Sequence, residues 1–112
     1  WPLASANPLE GIQVALTRRC LEAPDGEPLA IDERIELARA IENYTINSAY
    51  ASHLDHRSGS LVVRKSADLV VLDRDLFKIP VNEIASTKVL LTLFAGEPVH
   101  GDLAAASAPV PQ

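Results

Sequence analysis

His53 and His56 stand three positions apart with Asp55 beside them, and side chains of these types are the ones that bind a divalent metal. A metal centre needs at least three ligands converging at suitable geometry, and this segment falls in a loop between a helix and a strand with no partner cluster to meet it. Exposed polar residues are therefore the favoured reading, and the isolated His100 has less claim still. Cys20 is a nucleophile by type, but no base is placed beside it and nothing nearby would lower its pKa. Asp73 and Asp75 invite a reading as paired acids, yet alternating acid and base after a strand marks a solvated turn. The pair Arg18-Arg19 reads as positive charge at a helix C-terminus rather than as a phosphate site. No Gly-rich phosphate loop, zinc knuckle or Ser-His-Asp arrangement is present in the sequence. By residue chemistry alone, the chain has no identifiable active site.

Around these residues the pattern predicts two to three helices and a small, mainly antiparallel sheet, an α+β fold. Asn7 is placed to cap a helix, Pro8 suits the first helical position, and Glu10 sits where a capping-box carboxylate reaches back. Leu9, Ile12, Val14, Ala15 and Leu16 then give an apolar stripe through about Cys20. Pro24-Asp25-Gly26 and Pro28 mark a surface loop. A second helix is predicted over Leu37 to Tyr44; Ala49 and Tyr50 either extend it or belong to a short third helix after a break near Thr45 to Asn47, where Thr45-Ile46 followed by Asn47 favours a break.

The stretch from Gly59 to Asp73 reads as strand, turn, strand. Leu61 to Val63 forms the first short apolar run, Arg64 to Ala67 the polar break, and Leu69 to Leu72 a wholly aliphatic run expected to be covered on both faces and to sit at the centre of the sheet. A helical turn is expected over Val81 to Ala85. Val89 to Phe94 is the next strand, reversed through Ala95-Gly96-Glu97 into Pro98-Val99-His100, where Pro98 suits an edge. The Ala, Ser and Pro-rich segment from Asp102 onward has no pattern and is expected to be disordered.

With 112 residues, 47% of them hydrophobic and 22% charged, the chain has the composition of one globular domain or part of one, able to bury roughly two thirds of its surface if it folds alone. A net charge of -5 with scattered Lys and Arg gives no footprint for nucleic acid. The one cysteine fits a reducing compartment. No apolar run reaches membrane-helix length and no signal peptide is visible, so a cytoplasmic protein without membrane or nucleic-acid partners is expected. The chain has no Met and begins Trp1-Pro2-Leu3, which reads as a fragment.

Gly59-Ser60-Leu61 followed by Lys65 and Ala67-Asp68-Leu69-Val70-Val71-Leu72-Asp73 resembles the C-terminal signature of the amidohydrolase superfamily, in particular its third family, with its N-substituted formamide deformylase-like enzymes. Trp1-Pro2, Asn7-Pro8-Leu9-Glu10-Gly11-Ile12, Thr17-Arg18-Arg19, the run Tyr44 to Ala51, and Lys88-Val89, Thr92 and Gly96 are similar to family segments in the same order. One departure is visible: a Gly usually precedes the signature Lys, and Arg64 stands there instead. This puts a glycine-type turn before Lys65 in question.

The resemblance implies a parent with a (β/α)8 barrel and a flanking β-sandwich. Residues 1–56 would be a remnant of the last barrel helices, 57–101 a small C-terminal β domain and 102–112 the disordered tail. It also implies metal-assisted hydrolysis of a non-peptide carbon-nitrogen bond in a small-molecule amide, with a divalent, zinc-like ion lowering the pKa of a bound water. The metal ligands and the proton-shuttling aspartate belong to earlier strands, so neither a metal nor any catalytic residue is expected within this sequence. Trp1 and Pro2 would lie on a loop at the C-terminal face of the barrel strands, as lining of the substrate pocket, although simple packing of the loop is the plainer reading of Trp1.

The fragment alone is expected to be inactive. The rival reading is a non-catalytic binding or assembly module derived from the same fold. Apolar surface on Leu69 to Leu72 and on the Ile12 and Ile41 helix faces would lack its usual cover, which predicts self-association.

Overall fold

The computed structural model describes residues 5–102 and residue 104. Three helices, α1 (Pro8–Thr17), α2 (Leu37–Tyr44) and α3 (Ile46–Ala51), precede three strands, β1 (Leu69–Leu72), β2 (Val89–Phe94) and β3 (Glu97–Gly101), with 3₁₀ turns at Ile31–Glu33 and Val81–Ser86. The fold is α+β, with an antiparallel sheet in the order β1-β2-β3. All but residue 102 and residue 104 of the expected disordered tail lies outside the described residues.

The chain divides into two compact units. One runs up to Ile41 and adds Leu76–Thr87; the other takes Glu42–Asp75 and the chain from Lys88 onward. In the first unit α1 packs on the Val81–Ser86 turn. Leu9, Ile12 and the fully enclosed Ile84 form its core, and the buried Gln13 accepts the Ala85 N–H through Oε1 at 2.8 Å. That bond gives a buried amide a partner and fixes the turn against the helix.

Asn7 caps α1 by accepting the Leu9 N–H at 3.0 Å, and Pro8 opens the helix. Glu10 differs from the expected capping box. It accepts from the Asn7 side-chain amide at 3.3 Å, while the Asn7 backbone N–H goes to Ser5 Oγ at 3.1 Å. The helix ends at Thr17, three residues before Cys20, because Arg18 turns left-handed at φ 57° and sends its N–H to the Val14 carbonyl. Arg18 Nε donates to the Leu29 carbonyl and the Leu29 N–H donates to the Arg18 carbonyl; with the Ile35 N–H on the Ala15 carbonyl, these bonds tie the following loop back to α1.

In the second unit, Thr45 leaves helical geometry at φ -123° and ψ -97°, and this break separates α2 from α3. The β2–β3 reversal is a two-residue turn with Ala95 at φ 51° and Gly96 at φ 87°, the pair of positive φ values that matches strand twist. β3 is fully exposed and holds Pro98 at the sheet edge, as expected.

Two expectations about the signature fail. Leu61–Val63 is not a strand, and its side chains are 81%, 60% and 89% exposed. Nor is Leu69–Leu72 the centre of the sheet. It is an edge, Val70 is 55% exposed, and the central strand is β2 with Leu91 buried. Four aliphatic residues in a row permit cover on both faces, but the ladder neighbours decide whether it exists, and among the described residues β1 has only β2.

Candidate functional site

The residues with chemistry by type do not converge. Among the described residues, no group of three or more His, Cys, Asp and Glu side chains is placed to hold a metal ion. His53 lies just beyond α3 in a left-handed turn at φ 58°, donating its N–H to the Tyr50 carbonyl, and both it and His56 are exposed. The set does not fit a divalent ion. His100 is exposed on β3. Cys20 is exposed, and contrary to expectation a carboxylate stands beside it: its thiol donates to Glu22 Oε2 at 3.2 Å, on an open loop with no further group that would orient the pair among the described residues. Arg18 spends its Nε on the Leu29 carbonyl, a structural bond. Trp1 and Pro2, the suggested pocket lining, lie outside the described residues.

The signature, in contrast, is densely bonded. Gly59 sits at φ 82°, and a Cβ there would meet Ala49 Cβ at 2.7 Å, Ile46 Cα at 3.0 Å and the Thr45 carbonyl oxygen at 3.1 Å. Only glycine lets the chain pass this close to the start of α3. Lys65 then folds back across the loop, donating from Nζ to Ser60 Oγ at 2.7 Å and to the Ser58 carbonyl at 3.3 Å. The Ser66 N–H closes the loop on the Arg57 carbonyl at 2.7 Å. Arg64 adopts φ 80°. The glycine-type turn questioned before Lys65 is therefore present, and Arg64 carries its strain.

Asp68 fastens this loop to the hairpin. Its Oδ1 accepts the Ala95 N–H at 2.7 Å and the Ser66 hydroxyl at 2.8 Å, while the Gly96 N–H reaches the Ala67 carbonyl at 3.1 Å. The Ala95 bond, helped by Ser66 and by the charge of Arg57, holds the Asp68 carboxyl below its usual range against a small opposing desolvation. Asp73 does the same at the other end of β1. Its Oδ1 accepts the Lys88 N–H at 2.9 Å, its own N–H donates to the Lys88 carbonyl at 3.0 Å, and Arg74 Nε lies 3.4 Å away. Its carboxyl is lowered chiefly by the Lys88 bond, with desolvation opposing and Arg74 and the Lys88 charge adding to it. Asp73 is therefore a strand clip rather than half of an acid pair. These structural roles were hidden in the sequence; the five-residue spacing of Ser60 and Lys65 and the Gly59 start were the available signals.

What these residues build is a scaffold: a clipped loop, an edge strand and a hairpin held at its turn. The amidohydrolase family pattern matches residues 1–100, and the chain belongs to that family. Over 95 residues it is 36% identical to N-substituted formamide deformylase of Arthrobacter pascens, covering 85% of this chain. Over 101 residues it is 35% identical to the protein LONG AFTER FAR-RED 3 of Arabidopsis thaliana, covering 89% of this chain. The chain spans 17% of the length of each of these relatives. No solved structure matches it. Among the described residues no helix is long and apolar enough to cross a membrane.

Proposed function

We propose that this chain serves as the C-terminal part of a metal-dependent hydrolase that cleaves a non-peptide carbon-nitrogen bond in a small-molecule amide, and that it does not catalyse the reaction alone. The observation that carries the reading is the 36% identity over 95 residues to an N-substituted formamide deformylase. In this reading the helices correspond to the end of a (β/α)8 barrel and the sheet to its flanking β-sandwich, in a cytoplasmic enzyme. A divalent ion, held by residues of the enzyme outside this chain, would supply the activation of water and the polarisation of the carbonyl. The residues described here neither touch substrate nor move a proton. They hold the last segment of the chain in a fixed shape beside the reacting domain.

The test is an assay of N-substituted formamide hydrolysis with two proteins: this chain alone, and the same chain joined to the preceding portion of a family member. Turnover and bound metal are expected only in the joined protein. Turnover by this chain alone, with stoichiometric metal, overturns the proposal. A second reading, a non-catalytic assembly module of the same ancestry, is favoured by one observation: Lys65, Asp68 and Asp73 are all engaged in structural bonds. Full activity of a joined enzyme lacking residues 57–101 would decide for that reading.

A further inference from the structure

We infer that Gln13 is a positioning residue: through its bond to the Ala85 N–H it fixes the rotation and height of α1 on the Val81–Ser86 turn, and with them the path by which the chain enters α1. The inference rests on the hydrolase reading above and goes beyond it by giving one side chain of this chain a part in substrate fit. In that reading α1 is a barrel helix, and the loop entering a barrel helix lies on the face where barrel enzymes carry their active sites. Gln13 touches no substrate; it acts through the placement of that loop.

Position 13 belongs to the buried face of α1. Leu9, Ile12 and Gln13 are spaced i, i+3 and i+4, which stacks them on one side of the helix, and all three are buried. Leu9 and Ile12 share the core with Ile84, and apolar burial of this kind holds α1 down without fixing a direction, so it tolerates sliding or turning of the helix. The amide does not. Its Oε1 accepts the Ala85 N–H at 2.8 Å across 72 positions of sequence, and a hydrogen bond weakens steeply as its angle closes. A slip by one residue would move α1 about 1.5 Å along its axis and turn it by about 100°, which carries Gln13 off Ala85 and strands that N–H. An apolar side chain here would cover the core with no polar group to satisfy, so what the amide adds is direction. The entry to α1 follows the helix, because Asn7 caps it through the Leu9 N–H and is itself tied to Ser5 Oγ. Errors of about 1 Å in placing such a loop can cost roughly a hundredfold in rate.

The experiment uses the joined enzyme, with N-substituted formamide hydrolysis, metal content and hydrogen exchange as readouts. Gln13→Met keeps an unbranched side chain of similar length and removes the amide acceptor; it should lower kcat/KM about tenfold or more with metal content unchanged. Gln13→Glu, which restores an oxygen at the same reach, should recover most of that loss. Ile84→Val thins the same contact but leaves the bond, so it should lower the unfolding temperature while kcat/KM stays within about twofold. In Gln13→Met, exchange over residues 9–12 and 84–87 should quicken about tenfold or more, with β2 and β3 unchanged. Loss of protection in β2 and β3 would mark unfolding, and Gln13→Leu then takes its place. An active joined enzyme in which Gln13→Met keeps full kcat/KM overturns the inference and leaves the hydrolase reading standing. So does an equal loss of kcat/KM in Gln13→Met and Ile84→Val. An inactive joined wild type fails the hydrolase reading instead, and exchange then decides the register: quickened over residues 9–12 and 84–87 it upholds the Gln13 tie, unchanged it overturns it.

Discussion

Leu61–Val63 and Leu69–Leu72 are two short aliphatic runs in one signature, yet the first is an exposed loop and the second a strand. Their side chains have nearly the same appetite for burial and for extended backbone. What differs is the backbone around them. Leu69–Leu72 is anchored at both ends by aspartates that grip the neighbouring strand or its turn, through Ala95 N–H and Lys88 N–H. Leu61–Val63 lies between two left-handed residues, Gly59 at φ 82° and Arg64 at φ 80°, and is bowed by the Lys65 clip to Ser60. A strand forms where the chain can hold a partner in register, and aliphatic content alone does not make one.

The largest effect that would break this contrast lies at the centre of the sheet. Leu91, 3% exposed and opposite Val71, should cost about 2–4 kcal/mol when changed to alanine, the range for a truncated core leucine. Val63→Ala, on a residue 89% exposed, should stay within about 0.5 kcal/mol. Urea unfolding of both variants gives the comparison directly. Equal losses would mean that Leu61–Val63 is packed after all.

Gly59→Ala comes next. The added Cβ would meet two backbone atoms as well as Ala49 Cβ, and φ 82° is strained for any L side chain. A loss of about 2 kcal/mol in urea unfolding is expected, with the loop and α3 displaced together. A neutral result would show that the loop is free to move away from α3, and the left-handed explanation of Leu61–Val63 would lose its first support.

The local signals in the sequence fared better than the long-range ones. The cap by Asn7, the span of α2, the break at Thr45, the turn at Val81–Ser86 and the Ala95-Gly96 hairpin each depend on residues within a few positions, and the sequence pattern located them. The partner of Glu10 and the end of α1 were missed because Ser5 and the left-handed Arg18 competed for the same groups. The place of β1 in the sheet depended on which strands lie beside it, and no residue in Leu69–Leu72 encodes that. The roles of Asp68 and Asp73 were illegible for a similar reason: each grips a backbone group, Ala95 N–H and Lys88 N–H, whose sequence position leaves no side-chain signature, whereas the Lys65 clip to Ser60 Oγ had the spacing of two side chains as its signal.

Arg64→Gly sharpens the comparison in the opposite direction. Arg64 holds φ 80° with a side chain that disfavours it, and glycine removes that penalty while making the unfolded chain looser. A net gain of about 0.5–1 kcal/mol is expected, since a left-handed arginine costs of order 1 kcal/mol or more. Destabilisation would mean that the guanidinium makes a contact worth more than the strain.

The smallest effect concerns the two anchors of β1 and is a matter of pH. Asp68 and Asp73 are held below the ordinary carboxylate value of 3.8 by bonds to Ala95 and Lys88. A group whose pKa is lower folded than unfolded releases its proton more readily in the native state, so its contribution is complete above 3.8 and is lost as the pH falls through the depressed values. The urea midpoint should therefore be flat from neutrality down to about pH 5 and then fall, with the fall continuing below the ordinary carboxylate range. Asp68→Asn, which keeps an acceptor for the Ala95 N–H but cannot titrate, should reduce the acid slope while Leu61–Val63 stays as exposed as before. In NMR, the Ala95 and Lys88 amide shifts should each titrate with the carboxyl that accepts them. An unchanged slope in Asp68→Asn together with an Ala95 amide that ignores acid would mean that Asp68 does not anchor the start of β1, and the difference between the two aliphatic runs would then rest on Asp73 and the Lys65 clip alone.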